Sequence, residues 1–181
     1  LYCDELCSVC VSVCPNRANI EFKVNPVKFK VQKIQQVEGK LKVSDLETVR
    51  IKQITQVMNI ADYCNECGNC ATFCPTNGAP YKDKAKLHIS RQSFDNSDVG
   101  FHFTTAEQLL WKEGASNGSL NRNEHGLIYK SNEIKAKIDS DSYATEVLEL
   151  KTESNNLPDT RTMIEMAVLY QNVKNQLPFS L

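Results

Sequence analysis

Cys64-Asn-Glu-Cys67-Gly-Asn-Cys70-Ala-Thr-Phe-Cys74-Pro75 sets four cysteines at gaps of two, two and three residues, with a proline behind the last. Gaps of two let a tight loop present three thiolates to three corners of one small inorganic cluster. The gap of three turns the fourth thiolate away by about one helical turn, toward a second cluster. The pattern therefore asks for a partner. Cys3-Asp-Glu-Leu-Cys7-Ser-Val-Cys10-Val-Ser-Val-Cys14-Pro15 supplies one, and the two runs hold all eight cysteines of the 181-residue chain. They point to two [4Fe–4S] clusters with crossed ligation. Cys3, Cys7 and Cys10 would hold cluster 1 with Cys74, and Cys64, Cys67 and Cys70 would hold cluster 2 with Cys14. Crossing staples the two runs together, so folding is expected to depend on the clusters.

The first run departs from the standard spacing. Cys7, Cys10 and Cys14 keep the gaps of two and three, but three residues separate Cys3 from Cys7 and Asp4 sits at the usual register. Thiolate is the softer ligand for iron, which favours Cys3. Asp4, or a residue upstream of Leu1, stays open as the alternative. Gly68, without a side chain, is expected to let backbone N–H groups approach sulfur, and Phe73 and Val9 to bury the clusters and tune their potentials. Zinc and disulfides are the competing readings of the cysteines. Structural zinc sites draw two cysteine pairs across a longer spacer, whereas each run here crowds four. Neighbours two residues apart on a tight loop rarely meet disulfide geometry. Metal ligation in a reducing compartment, by default the cytoplasm, fits better.

Composition narrows the rest. A net charge of −1 argues against nucleic acid as the main partner. No apolar run approaches the roughly 18 residues of a membrane span. The chain opens on Leu1 rather than Met, and the expectation is a piece of a longer polypeptide. Residues 1–92 read as a two-cluster electron-transfer domain and 93–181 as a small α+β appendage. The fold class is α+β: a bacterial two-[4Fe–4S] ferredoxin core with an inserted β-hairpin region and that appendage.

Between the runs, Ile20, Phe22 and Val24 alternate with charged residues as in a half-buried strand. Val27, Phe29 and Val31 repeat the alternation ahead of Ile34 and Val37. Gly39 allows a turn into Leu41 and Val43, and Val49–Val57 reads as one further β-rich run. This interval is more than a minimal core needs, so strands or a hairpin must project from it. From Pro15 to Ile60, nine Lys or Arg face four Asp or Glu. That charge suits the solvated face of twisted strands, or an electrostatic landing face for an acidic partner.

After Pro75, the turn residues Thr76 to Lys84 suggest an ordered cap over a cluster. Leu87–Ile89 and Val99–Phe103 read as strands, Ser93–Ser97 as a loop and Ala106–Lys112 as an amphipathic turn. Gly114–Gly126, rich in Asn, Ser and Gly, reads as a flexible loop. Leu127–Tyr129, Ile134–Ile138 and Val147–Leu150 read as strands, two of them meeting near Ser131. A last helix is expected from Pro158 to Gln176, stopped by Pro178, with Met163, Met166, Ala167, Tyr170 and Val173 on one apolar face. His88, His102 and His125 show no ligand spacing and read as packing or surface residues. No nucleotide-binding or nucleophile motif occurs, so no catalytic residue is assigned.

Cys14-Pro-Asn-Arg-Ala-Asn19, the run from Cys64 to Pro75 and Ala79-Pro-Tyr-Lys-Asp-Lys84 resemble the C-terminal iron–sulfur region of the selenate reductase flavin and iron–sulfur subunit family. That family is related to the glutamate synthase small subunit and dihydropyrimidine dehydrogenase. The resemblance covers about residues 3–90. It implies FAD and NAD(P)H bound by domains upstream of this chain, and clusters passing electrons toward a molybdenum-containing partner. A free-standing ferredoxin-like carrier and a zinc-stapled interaction module are the alternative functions.

Overall fold

The segment between the cysteine runs builds two different sheets. The computed structural model describes residues 3, 7–38, 40–124, 126–151, 159–174 and 176. After the one-turn helix α1 (Val9–Ser12), β1 (Asn19–Lys23) leads into β2 (Val27–Val37) and β3 (Lys40–Ile51). The last two form the expected hairpin, Val27 opposite Ile51 and Val37 opposite Lys40, as a separate two-stranded sheet. Gly39 lies outside the described residues. β4 (Thr55–Ile60) then returns to β1, with Ile20 opposite Met58. The single run expected from Val49 to Val57 is therefore split. β3 ends at Ile51, and Lys52-Gln53-Ile54 carries the chain from one sheet to the other. Propensity marks extended backbone here, but it cannot say which partner each half pairs with.

A 3₁₀ turn (Ala61–Tyr63), α2 (Asn69–Thr72) and α3 (Pro80–Asp83) follow, then β5 (Lys86–His88) and α4 (Arg91–Asp95). The expected loop at Ser93–Ser97 is largely this helix, because Ser90 caps it by accepting from the Ser93 N–H at 3.1 Å. The chain continues with β6 (Val99–Thr105), β7 (Gln108–Glu113), β8 (Ser116–Asn123), β9 (Gly126–Ser131), β10 (Ile134–Ile138), β11 (Thr145–Leu150) and α5 (Arg161–Val173). Among the described residues, β1 and β4–β11 make one nine-stranded sheet in the order β1-β4-β5-β6-β7-β8-β9-β10-β11. β4, β5 and β6 run parallel, and β6 to β11 form an antiparallel meander. The boundary expected at 92/93 falls within α4, and the strands on either side of it are hydrogen-bonded neighbours, Leu87 opposite Phe101.

Two sequence expectations in this meander are corrected. The turn expected at Ala106–Lys112 is mostly β7, and the flexible loop expected at Gly114–Gly126 is mostly β8. Asn, Ser and Gly form strands poorly on their own. β8, however, lies between two neighbours, with Leu109 and Tyr129 both opposite Leu120. Leu109 and Leu120 are fully buried. On the alternate positions Gln108 donates to Asn121 at 2.8 Å and Asn121 to Ser119 at 3.2 Å, a polar ladder that holds the strand's other side. Gly118 is required sterically. A Cβ there would lie 2.8 Å from the Tyr129 hydroxyl and 3.0 Å from the Lys130 carbonyl.

α5 is the axis of the main core. It touches β1 near one end of the sheet order and β7, β8 and β10 toward the other, so the sheet curls around it. The expected apolar face is buried, and so are Ile164, Val168, Leu169 and Asn172, so burial extends around most of the helix. The hairpin supplies the additional cover. Gln32 N–H donates to the Thr160 hydroxyl and Thr160 N–H to the Gln32 carbonyl, both at 2.9 Å, and Arg161 pairs with Glu47. Asn25 N–H donates to Asn172 at 3.1 Å, and Gln176 brackets Lys23 through N–H and C=O. Pro158 and Pro178, the expected start and stop signals, lie outside the described residues. Each large aliphatic side chain buried here contributes about 1.5–3 kcal/mol.

Candidate metal centre

The two cysteine runs adopt one local fold twice, sixty residues apart. Ser8 and Gly68 precede the short helices with φ of 56° and 82°. Ser12 N–H bonds back to Ser8 C=O at 3.2 Å, and Thr72 N–H to Gly68 C=O at 3.0 Å. Arg17 and Asn77 then close the loops in left-handed conformation, at φ 53° and 55°, each donating to the carbonyl of the last cysteine at 3.2 Å. Gly68 serves this left-handed turn, and a Cβ there would meet no protein atom within 4 Å.

Cys10 and Cys70 are the buried members of the runs and pack about Val57 of β4, with Val11, Val13 and Tyr81 around them. On one side of this contact, Cys3, Cys7, Cys10 and Cys74 line a single cavity of about 120 Å³. Ser8, Val57, Pro75, Thr76, Gly78, Pro80, Asp83 and Lys84 complete its wall, so the segment after Pro75 does cap it. A water's share of volume is about 30 Å³, so the space corresponds to about four waters. Among the described residues, no three His, Cys, Asp or Glu side chains converge as they would on one metal ion. Thiols set apart around a shared space suit a cluster whose irons are each held by a separate thiolate. None of the eight cysteines forms a disulfide.

The second set is placed less tightly. Cys14 faces an open cleft beside Arg17 and Ile20, and its sulfur accepts the Ala18 N–H at 3.2 Å. Cys64 leaves the 3₁₀ turn half-buried, its N–H on the Ala61 carbonyl at 3.1 Å; Cys67 is exposed and Cys70 buried. Phe73 is 58% exposed and Val9 half-buried. The shielding expected of Phe73 is therefore not seen: the residue follows α2 with its ring exposed, and Val57 and Tyr81 pack against the buried cysteines instead. Asp4 lies outside the described residues.

Electrostatics separate the thiols. Burial pushes Cys10 up to about 11, and the neighbouring Cys3, Cys7 and Cys70 push the same way against Lys84. A hydrogen bond from the Thr76 hydroxyl, at 3.3 Å, holds Cys74 below its ordinary value, with backbone N–H groups and Lys84 assisting. Without iron, the centre of the site resists carrying charge. Iron bound to these sulfurs would replace their protons and remove that cost. The residues present thus fit a [4Fe–4S] cluster. Thr76 and Lys84 escaped the sequence reading because neither belongs to the ligand spacing, although both fall in the expected cap.

The histidines stand apart from the site. His88 bridges Ser93 Oγ at 2.8 Å and the Val99 carbonyl at 3.0 Å, and Phe94 packs against both His88 and His102. His125 lies outside the described residues.

Residues 5–78 match the 4Fe-4S dicluster domain family. Over 97 residues, 54% of this chain, the sequence is 40% identical to the "Putative oxidoreductase YgfK" of Escherichia coli K12, and equally to that of E. coli O157:H7. The match spans only 7% of the length of those curated relatives. No solved structure matches the chain. No helix among the described residues is long and apolar enough to cross a membrane. Two cysteine loops of one design, four thiols around one cavity and the dicluster match over residues 5–78 make the part of the chain that holds the cysteines an iron–sulfur, electron-transfer region.

Proposed function

We propose that this chain is the iron–sulfur relay of a larger NAD(P)H- and flavin-dependent cytoplasmic oxidoreductase, carrying electrons through two [4Fe–4S] clusters. Cys3, Cys7, Cys10 and Cys74 hold one cluster, and Cys64, Cys67, Cys70 and Cys14 the other. The observation that carries the reading is the convergence of the first four on one cavity, although Cys74 is far from the others in sequence. Identity to a small part of much longer relatives whose printed name is an oxidoreductase supports the larger setting. The clusters supply one-electron storage. The chain's own residues hold them, exclude water through Val57 and Pro80, and stabilise added negative charge through Thr76, Ala18 N–H and Lys84. FAD and NAD(P)H belong to other domains, and a molybdenum-containing protein is the acceptor that the family resemblance favours.

Anaerobically prepared protein is expected to contain about eight iron and eight sulfide, four of each per cubane. Dithionite reduces it; NADPH alone does not, and attached flavin domains restore NAD(P)H reduction. Zinc in place of iron, or unaided oxidation of NADPH, would overturn the reading.

A further inference from the structure

We infer that Gln56 is the positioning residue that makes Cys3 a cluster ligand, in place of the strand and turn that position Cys64. The inference rests on the proposal that Cys3, Cys7, Cys10 and Cys74 hold one cluster. Gln56 lies within β4 and is fully buried. Its side-chain oxygen accepts the Cys3 N–H at 2.7 Å, and its side-chain nitrogen donates to the Cys3 carbonyl at 3.1 Å. Both ends of the amide are committed to one residue's backbone, as a neighbouring strand would commit its main chain. Only Asn and Gln carry a planar donor and acceptor able to do this, and Gln alone has the extra methylene of reach. A buried amide left without partners is costly, so the pairing is strongly specified.

The two runs show why such a clamp is needed. Cys64 follows β4 directly: Ile60 ends the strand, the 3₁₀ turn Ala61–Tyr63 intervenes, and the Cys64 N–H closes on Ala61 C=O. Its position is inherited from the sheet through the backbone. Cys3 follows no described strand, and its run carries one residue more before the next cysteine than the second run does. The slack of that longer gap would let the corner ligand drift, or let Asp4 compete. Gln56 removes the slack. One strand thus places both corner cysteines, Cys64 through its C-terminal end and Cys3 through a side chain near its N-terminal end.

The test compares iron content, electron paramagnetic resonance and thermal unfolding of the full chain and its variants. Gln56→Leu, close in volume and without the amide, is expected to behave as Cys3→Ala does. Iron falls from about eight to about seven or fewer, a three-iron signal appears after mild oxidation, and the reduced signal of the other cluster persists. Asp4→Ala keeps both clusters. Gln56→Glu keeps the acceptor for Cys3 N–H and loses the donor. It is the variant to read if Leu does not fold, with oxidative iron loss about five- to tenfold faster than wild type, the factor of one hydrogen bond of about 1–1.4 kcal/mol. A general structural role would lower the unfolding temperature without a three-iron signal. That result, or eight irons kept in Gln56→Leu with no change of rate in Gln56→Glu, overturns the inference while leaving the relay proposal standing. A wild-type protein without iron would instead overturn the relay proposal.

Discussion

Cys74 and Cys14 occupy equivalent places in the two loops, yet their sulfurs are solvated differently. Cys74 meets the Thr76 hydroxyl, two backbone N–H groups and the field of Lys84, whereas Cys14 meets the Ala18 N–H. Donors to sulfur favour the reduced, more negative state, so they raise the potential of the cluster they surround. Thr76→Val is therefore expected to lower the potential of the cluster proposed at Cys74, with the other nearly unchanged. The size should be tens of millivolts, given about 1 kcal/mol per hydrogen bond and about 59 mV per 1.4 kcal/mol for one electron. A redox titration followed by electron paramagnetic resonance checks it, and equal shifts in both clusters would contradict it. At this scale the candidate ligands stand out in the sequence because thiolate chemistry constrains both residue type and spacing. Gln56 could not be, since a polar residue inside a β-rich run signals nothing until the strand's partner is known. The exposure of Phe73 is hidden for a related reason: the helix it follows has four residues, too few to show which side faces inward.

β5, α4 and β6 meet around His88, and the element-scale consequence is a pH dependence. Gly100, at φ 138°, leaves room for the imidazole, since a Cβ there would lie 2.6 Å from the ring. Burial holds His88 below its ordinary value near 6.5, Lys86 and Lys112 act in the same direction, and the Val99 carbonyl and Asp62 oppose them. The folded state therefore prefers the neutral ring. Its contribution to stability is present above about pH 6.5 and is lost as pH falls below it, because the unfolded chain takes up the proton first. Unfolding curves between pH 7.5 and 5.5 should show this loss in wild type and a shallower slope in His88→Gln. Equal slopes would mean that the ring titrates normally. The sequence disclosed these elements unevenly. β9, β10, β11 and α5 carry enough apolar residues to declare themselves. β8 does not, since its strand character comes from β7 and β9 and not from its own Asn, Ser and Gly.

Across the whole molecule, two cores of unequal size carry different duties. The large one gathers α5, the hairpin and the inner face of the curled sheet, and no cysteine belongs to it. The small one is Cys10, Val57 and Cys70 with a few half-buried neighbours. Removing iron under chelation should therefore not unfold the chain, which narrows the expectation that folding depends on the clusters. Hydrogen exchange is expected to accelerate over residues 7–18 and 61–84 while β6–β10 and α5 keep their protection. Uniform loss of protection would show that the clusters hold the large core too. The expected hairpin between the cysteine runs could be inferred from chain length alone, but its role against α5 depends on pairings made across more than a hundred residues.

The position of α5 also sets an order in time. Its first residue follows Cys74 by 87 positions, so a ribosome working at about 5–20 residues per second reaches it roughly 4–17 s later. During that interval both cysteine loops, β1 and β4 have been made, while Phe22, Met58 and Ile60 still lack the helix that completes their core. A nascent chain thus offers its full set of thiols to iron delivery, and to oxidants, some seconds before the core behind them can close.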